Sequence, residues 1–443
     1  MSTQPPTIKR RTPRSPLQAV ASLRGNRPFA LLWFSNLFFF AGAWSQTLVL
    51  GWLAFEITGS ELKVAIFTAA RLAPLLLGPF SGAFADRHNR VRLLTLAAGW
   101  AIVAVSAVAT LASFGAVPYW ALVIGGFAIG LAQSPSQPAR SSLVLELVGR
   151  ENLSNANALN ALAMNMTQVF GPAIGGAMIS TIGAPAALWI STGWYAISLL
   201  LLLPLRGRGA VVEHVVGSTW SMVTGGFRGI AGNRLAIAVL LVTLGANTLL
   251  WPIYQSFMPV FAAESLGLDA AGLGWLLTCG GVGGLVGALV IAGLGDFRSK
   301  GGVFVIGTCC WAGFWLLFSL SHHPGLSFLI MAGIGLTSSA FGVLQTTLLL
   351  MTTPASLHGR ALGLQELAIG IMPLSALLIG VVAQQIGVGW TTFGCALLLI
   401  MFLVGLAVRV PELLPYSGVE VRTGGAPGNP IVDGQPAAPD GTA

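Results

Sequence analysis

Charge is what this chain has least of. Only 8% of its 443 residues are Asp, Glu, Lys or Arg, while 55% are hydrophobic; a water-soluble domain carries about 25% charged residues. One membrane anchor cannot account for the deficit, because apolar runs recur from Phe29 to beyond Leu406. Cysteine is also scarce. Cys279, Cys309, Cys310 and Cys395 all fall inside apolar runs, lack the spacing of a metal site and read as small buried apolar side chains. The five histidines, His88, His214, His322, His323 and His358, lie between apolar runs, not within them. No His-Glu-x-x-His, Gly-x-Ser-x-Gly or Gly-x4-Gly-Lys-[Ser/Thr] pattern occurs. These absences exclude the common membrane hydrolases and ATP-driven pumping by this chain, and no metal or other cofactor is expected. The net charge of +8 sits at the ends of apolar runs rather than on one soluble module, so no nucleic-acid partner is expected.

What is present is a series of apolar runs of bilayer length, about 20 residues each. Reading them against helix breakers predicts an all-α membrane protein of twelve spans. In the first half these are 29–55, 63–86, 92–113, 116–138, 156–182 and 185–205. In the second they are 235–262, 270–294, 302–320, 324–350, 360–385 and 389–410. The basic residues before Phe29, followed by an apolar run and Ala41-Gly42-Ala43, imitate a cleavable export signal. The run continues to Phe55, however, which predicts an uncleaved first span. With a cytoplasmic N-terminus, every one of the 22 Lys and Arg except Lys63 and Arg71 sorts to the cytoplasmic side, as the positive-inside rule asks. Both termini are therefore expected in the cytoplasm.

The expected organisation is a cytoplasmic tail at 1–28, a six-helix bundle at 29–205, a cytoplasmic linker at 206–234, a second six-helix bundle at 235–410 and a disordered tail at 411–443. A weak internal repeat relates the halves. Asp86-Arg87-His-Asn-Arg90 follows the second span and Asp296-Phe-Arg298-Ser-Lys300 follows the eighth. The fifth and eleventh spans both end in glycines seven residues apart, Gly176 with Gly183 and Gly380 with Gly387. Repeated halves place a binding site at their interface near the midplane.

Gly82-Ala-Phe-Ala-Asp86-Arg87-His-Asn-Arg90 resembles the loop 2–3 signature of the major facilitator superfamily, with Asn89 where a glycine is usual. The resemblance implies two pseudo-symmetric six-helix bundles. It also implies an inner gate built from Gly82, Asp86, Arg87 and Arg90 against the start of the eleventh span at Gly359 and Arg360. The physical logic is a carboxylate at the membrane edge facing the positive end of a helix. Gly171-Pro172-Ala-Ile-Gly175-Gly176 resembles the end of the antiporter signature in exporters of the superfamily, although Ala158 and Thr167 stand at upstream glycine positions. Glu56-Ile-Thr-Gly-Ser60, Arg150-Glu-Asn-Leu-Ser-Asn-Ala-Asn and His358-Gly-Arg-Ala-Leu-Gly363 are similar to the enterobactin, multidrug and macrolide efflux branch. The arginine that many proton-coupled exporters carry in the fourth span is replaced by Gly126.

Ionisable groups inside a bilayer are costly and default to functional candidates. Arg71 in the second span is a candidate to attract an anionic or phenolic group, or to pair with Glu56. Glu366 in the eleventh is a candidate proton carrier, or a gate partner of Arg140. Candidate cavity-lining amides are Asn36, Gln46, Gln133, Gln137, Asn165, Gln168, Asn247, Gln255 and Gln345, each equally able to bond a neighbouring helix. Aromatic residues of the first span, Phe40 and Trp44 among them, face lipid or form a greasy wall. The expected function is export of a small amphipathic organic molecule of drug, macrolide or siderophore type by a monomeric proton antiporter of a bacterial inner membrane. An uptake permease of the same fold and a non-transporting receptor or scaffold are the alternatives.

Overall fold

The computed structural model describes residues 25–77, 88–115, 117–208, 230–294, 297–354 and 357–417. Helix starts follow local chemistry. Asn26 caps α1 (Arg27–Thr58) by accepting from the Phe29 amide, and Gly59, at φ 52°, ends it. Ser60 caps α2 (Glu61–Leu72), which tightens into the 3-10 turn Ala73–Leu77 at Pro74. Asn89 caps α3 (Arg90–Ser113), and α4 spans Tyr119–Gln133. The helical run Ser136–Leu202 is broken at Gly149 (φ 69°) and Gly183 (φ 84°), dividing it into α5 (136–148), α6 (150–182) and α7 (184–202).

The second half repeats the plan. It begins with α8 (Arg234–Leu249) and α9 (Trp251–Ser256), which runs on through Met258–Val260 into a π turn at Phe261–Ser265. Next come α10 (Ala270–Gly293), α11 (Lys300–Ser319) and α12 (Pro324–Thr352). The last are α13 (His358–Gly370), α14 (Met372–Ile386) and α15 (Val388–Arg409). Gly387, at φ 82° and ψ 157°, breaks the chain before α15 in the conformation that Gly183 (φ 84°, ψ 161°) adopts before α7.

Among the described residues nine helices are long and apolar enough to cross a bilayer. That number is consistent with twelve spans. The stretch Asn155–Leu205 counts once although Gly183 breaks it, and α2 and α4 are short as uninterrupted α-helix. Leu96, Trp100, Trp120, Leu289, Leu329 and Trp390 point away from the packed interior and are at least half exposed. A soluble surface does not carry so much outward apolar area; this is a multi-pass membrane protein with hydrocarbon as its solvent.

The two halves meet along seams where side chains are small. Gly176 of α6 lies against the Ala270 carbonyl and Gly274 of α10, and Gly274 in turn lies against the Pro172 carbonyl. Gly380 of α14 packs on Ala65 of α2. Beside it the Ser60 hydroxyl donates to Gln384 Oε1 at 2.6 Å. Between membrane helices such close approach supplies the van der Waals contact that a hydrophobic effect cannot.

Several expectations need correction. Arg140 does not lie in a loop after the fourth span. The helix restarts after Pro135, with Pro138 in its first turn where no amide hydrogen is required, and carries Arg140 into the bundle. The packed chain also extends further than 410. The Gly301 amide donates to the Tyr416 carbonyl, the Tyr416 hydroxyl to the Met351 carbonyl, and Leu413 is buried, so 411–417 lie across the helix ends. The four cysteines are free thiols, but Cys310 is exposed and the others are half-buried. Gly82, Asp86, Arg87 and Asp296 lie outside the described residues.

Candidate functional site

Two hollows flank the line where α1 meets α9. The first, about 650 Å³, is lined by α1, α2, α4 and α5 on one side and by Gln255 of α9 and Leu362, Gly363 and Glu366 of α13 on the other. It reaches from Thr47 and Gln255 toward Ser141 and Leu362, near the end of the molecule that carries Arg90, Arg360 and Arg409. The seam contacts of Ser60, Ala65, Gly176 and Gly380 lie at the other end.

Arg71 borders this hollow and is only 6% exposed. Its Nη1 donates to Thr47 Oγ1 at 2.7 Å and its Nη2 to Gln255 Oε1 at 3.5 Å, so one guanidinium joins three helices from both halves. Glu366 enters the same hollow from α13. Gln133, Gln137 and Gln255 line it, as do Phe40 and Trp44.

Arg140 stands behind that wall, 2% exposed. Its Nη1 donates to Asn36 Oδ1 and, at 3.5 Å, to Ser35 Oγ, and its guanidinium carbon lies 4.4 Å from the centre of the Phe39 ring. Nε and Nη2 are buried with no hydrogen-bond partner among the described residues. Neither Arg71 nor Arg140 has a carboxylate within ion-pair distance among those residues, where the ion pairs are Arg90–Glu146 and Arg234–Glu412. An unneutralised buried cation costs several kcal/mol, so the first half holds two that packing alone does not require. Sequence reasoning named Arg140 as a gate partner of Glu366 at the cytoplasmic end and did not foresee its burial in the bundle, because Ser134-Pro-Ser-Gln-Pro138 looks like a loop; the signal against that was the run of apolar residues that resumes at Leu143.

The second hollow, about 370 Å³, lies between α6, α9, α10, α11 and α12. Asn165 and Gln168 enter it from α6, one helix turn apart, facing Trp251, Tyr254 and Trp311. The Trp251 ring lies edge-on to Tyr254 at 5.7 Å and to Trp311 at 5.9 Å, and Phe341 stacks on Trp311 at 5.6 Å. A narrow cleft of about 30 Å³ shares Trp44, Thr47 and Gln255 with the first hollow and Tyr254 with the second.

Other candidates sit elsewhere. Asn36 is buried between Arg140 and Asn160, Gln46 accepts from the Tyr195 hydroxyl at 2.9 Å, and Asn247 bonds back to its own helix at the Thr243 carbonyl. None of the three lines either hollow, because their helix phase turns them into the bundle. Gln345 is half-buried and borders neither hollow. Glu56 is exposed in the last turn of α1, away from Arg71. Arg90 pairs with Glu146 at 3.1 Å, and Gly359 and Arg360 are exposed at the start of α13. Of the fifth-span glycines, Gly171 and Gly175 fit against Trp44 and Ser45 of α1, while Gly176 faces α10. That motif therefore holds α6 to both halves.

Helical halves meeting around a central hollow define a transporter of the major facilitator fold. A peptide-family (POT) transporter solved with 5-aminolevulinic acid superposes with a TM-score of 0.73 over 88% of this chain and 97% of its own, at 12% identity. The chain belongs to the transmembrane secretion effector family, whose profile matches residues 17–417. It is similar to the multidrug efflux pump Tap of Mycolicibacterium fortuitum, 26% identical over 87% of this chain and 96% of that one. It is also similar to the enterobactin exporter EntS of Shigella flexneri, 28% identical over 68% and 71% respectively.

Proposed function

We propose that this protein exports a small amphipathic organic molecule from a bacterial cytoplasm by alternating access, exchanging it for protons. On this reading it is a monomer in the inner membrane, with both termini cytoplasmic and with 29–205 and 235–410 rocking about the hollow. The observation that carries the reading is the placement of Arg71 and Glu366. They enter one hollow from opposite halves, at the end where the basic residues lie, while the glycine seams pack the other end. The arrangement described here is then the inward-facing one.

Arg71 and the guanidinium behind it favour an electron-rich oxygen, phenolic or anionic, and Phe40, Trp44 and Leu72 receive the apolar body. A charged Glu366 accepts a hydrogen bond from a substrate hydroxyl, a bond stronger than its neutral counterpart. A proton arriving from outside weakens that bond and releases the cargo. Reconstituted protein under an imposed pH gradient tests this. Glu366→Gln is expected to lose proton-driven flux while keeping substrate exchange between two equal pools. Full proton-driven flux in that variant removes Glu366 from the coupling. Drug-susceptibility profiles of cells with and without the gene give the direction, since export predicts greater sensitivity when it is lost.

A further inference from the structure

We infer that a groove between α8 and α13 holds an anionic phospholipid of the surrounding bilayer, with one acyl chain in the groove and the phosphate on Arg234 and Arg360. The assignment goes beyond the exporter reading, on which only the choice of leaflet rests: with the basic end cytoplasmic, it is the inner one. The groove encloses about 400 Å³ and lies apart from both hollows. Every side chain lining it is apolar; Ile237, Leu241 and Leu244 of α8 face Leu364, Leu367 and Ala368 of α13. Carried one turn toward the basic end, each stripe arrives at an arginine. Arg234 precedes Ile237 by three residues and Arg360 precedes Leu364 by four, the spacings that keep side chains on one helix face. From Arg234 to Leu244 the helix rises about 15 Å, which is one leaflet of a hydrocarbon core about 30 Å thick. The groove therefore runs from headgroup level to the neighbourhood of the midplane.

Both cations are available at its mouth. Arg360 is exposed and makes no hydrogen bond or ion pair among the described residues. Arg234 meets Glu412 at 3.6 Å and donates to the Arg409 carbonyl at 2.9 Å, but with side chains 70% and 43% exposed the ion pair is a weak one. An apolar slot with two arginines at its water end matches a molecule with a hydrocarbon tail and an anionic head. A zwitterionic lipid fills the slot as well but brings its own cation to the arginines, so the basic mouth selects the anionic one. The site has a consequence for α13. Another face of that helix, with Leu362, Gly363 and Glu366, lines the first hollow. A chain in the groove thus packs on the back of the helix that carries Glu366 and braces it.

The test is native mass spectrometry of the purified full-length protein, titrated with dioleoylphosphatidylglycerol or dioleoylphosphatidylcholine. The first phosphatidylglycerol is expected to bind at least about fivefold more tightly than phosphatidylcholine. Arg360→Gln is expected to weaken it about fivefold, the attraction of one basic residue for an anionic lipid surface, and Arg360→Lys to restore most of that. Leu244→Trp fills the groove without adding charge and is expected to weaken both lipids at least about tenfold, what two unburied methylenes cost. Variants whose Tm matches the parent are compared; the two sites of substitution lie at opposite ends of the groove, so either carries the test where the other does not fold. Equal affinity for the two lipids overturns the assignment, as does phosphatidylglycerol binding indifferent to Leu244→Trp. So does glycerol 3-phosphate that displaces the lipid as well as intact phosphatidylglycerol does, or a dimer that Leu244→Trp dissolves. Lipid binding that obeys these expectations in a protein without flux upholds the site and sinks the exporter reading. Flux in a protein whose lipid binding ignores headgroup and groove does the reverse.

Discussion

Arg71 Nη2 donates to Gln255 Oε1 at 3.5 Å, tying a buried cation of the first half to an amide of the second. The bond is long, and the firm one, to Thr47 at 2.7 Å, stays within the first half. A bridge of that kind breaks when the halves move apart. Arg71→Ala is expected to lower flux at least about tenfold, the loss of one charged hydrogen bond. Arg71→Lys should recover part of it, and Gln255→Leu should change the exchange rate more than substrate affinity. Flux at matched expression in proteoliposomes reads all three.

Arg140 separates stability from function. Replacing a poorly neutralised buried charge by an apolar side chain of similar length is often neutral or stabilising. Arg140→Met is therefore expected to hold or raise Tm while flux falls. A variant that loses stability and flux in proportion would mark Arg140 as structural packing.

The Arg90–Glu146 pair predicts the opposite. With side chains only 10% and 27% exposed, it is a bridge whose arginine is left stranded when its partner goes. Glu146→Ala should destabilise the protein by about 2 kcal/mol. Thermal unfolding in detergent measures the loss, and Arg90→Met in the same background should restore part of it.

Gly176 and Gly274 test the seam. A leucine at either position would collide with backbone of the opposing helix, Ala270 or Pro172. Gly176→Leu is expected to hold that end apart and shift the population toward the opposite state. In a cysteine-free background, a thiol introduced at Gln137, in the first hollow, should then react more slowly from the basic side. An unchanged labelling rate would show that the crossing does not govern the equilibrium.

The helices themselves were legible because their causes are local. Asn26, Ser60 and Asn89 cap helices that start within a few residues of the expected spans, and Gly183 and Gly387 break the chain where the repeat of glycines placed them. Arg71, Glu366, Gln133, Gln137 and Gln255 came to line the first hollow. Asn36, Gln46 and Asn247 did not, although their composition and spacing look the same. The burial of Arg140 was hidden because prolines in a helix's first turn resemble those of a loop. Trp251, Tyr254 and Trp311 were hidden because aromatic residues in a membrane helix most often face lipid.

By itself the sequence determined residence in the bilayer, the positions of the spans and the family, because hydrophobicity, capping and backbone breaks act over a few residues. Only the tertiary structure decided which polar side chains look into a hollow and which into a bundle. That choice depends on the rotation of each helix against its neighbours, and the rotation is set by contacts such as Gly176 on Ala270, between residues far apart in the chain.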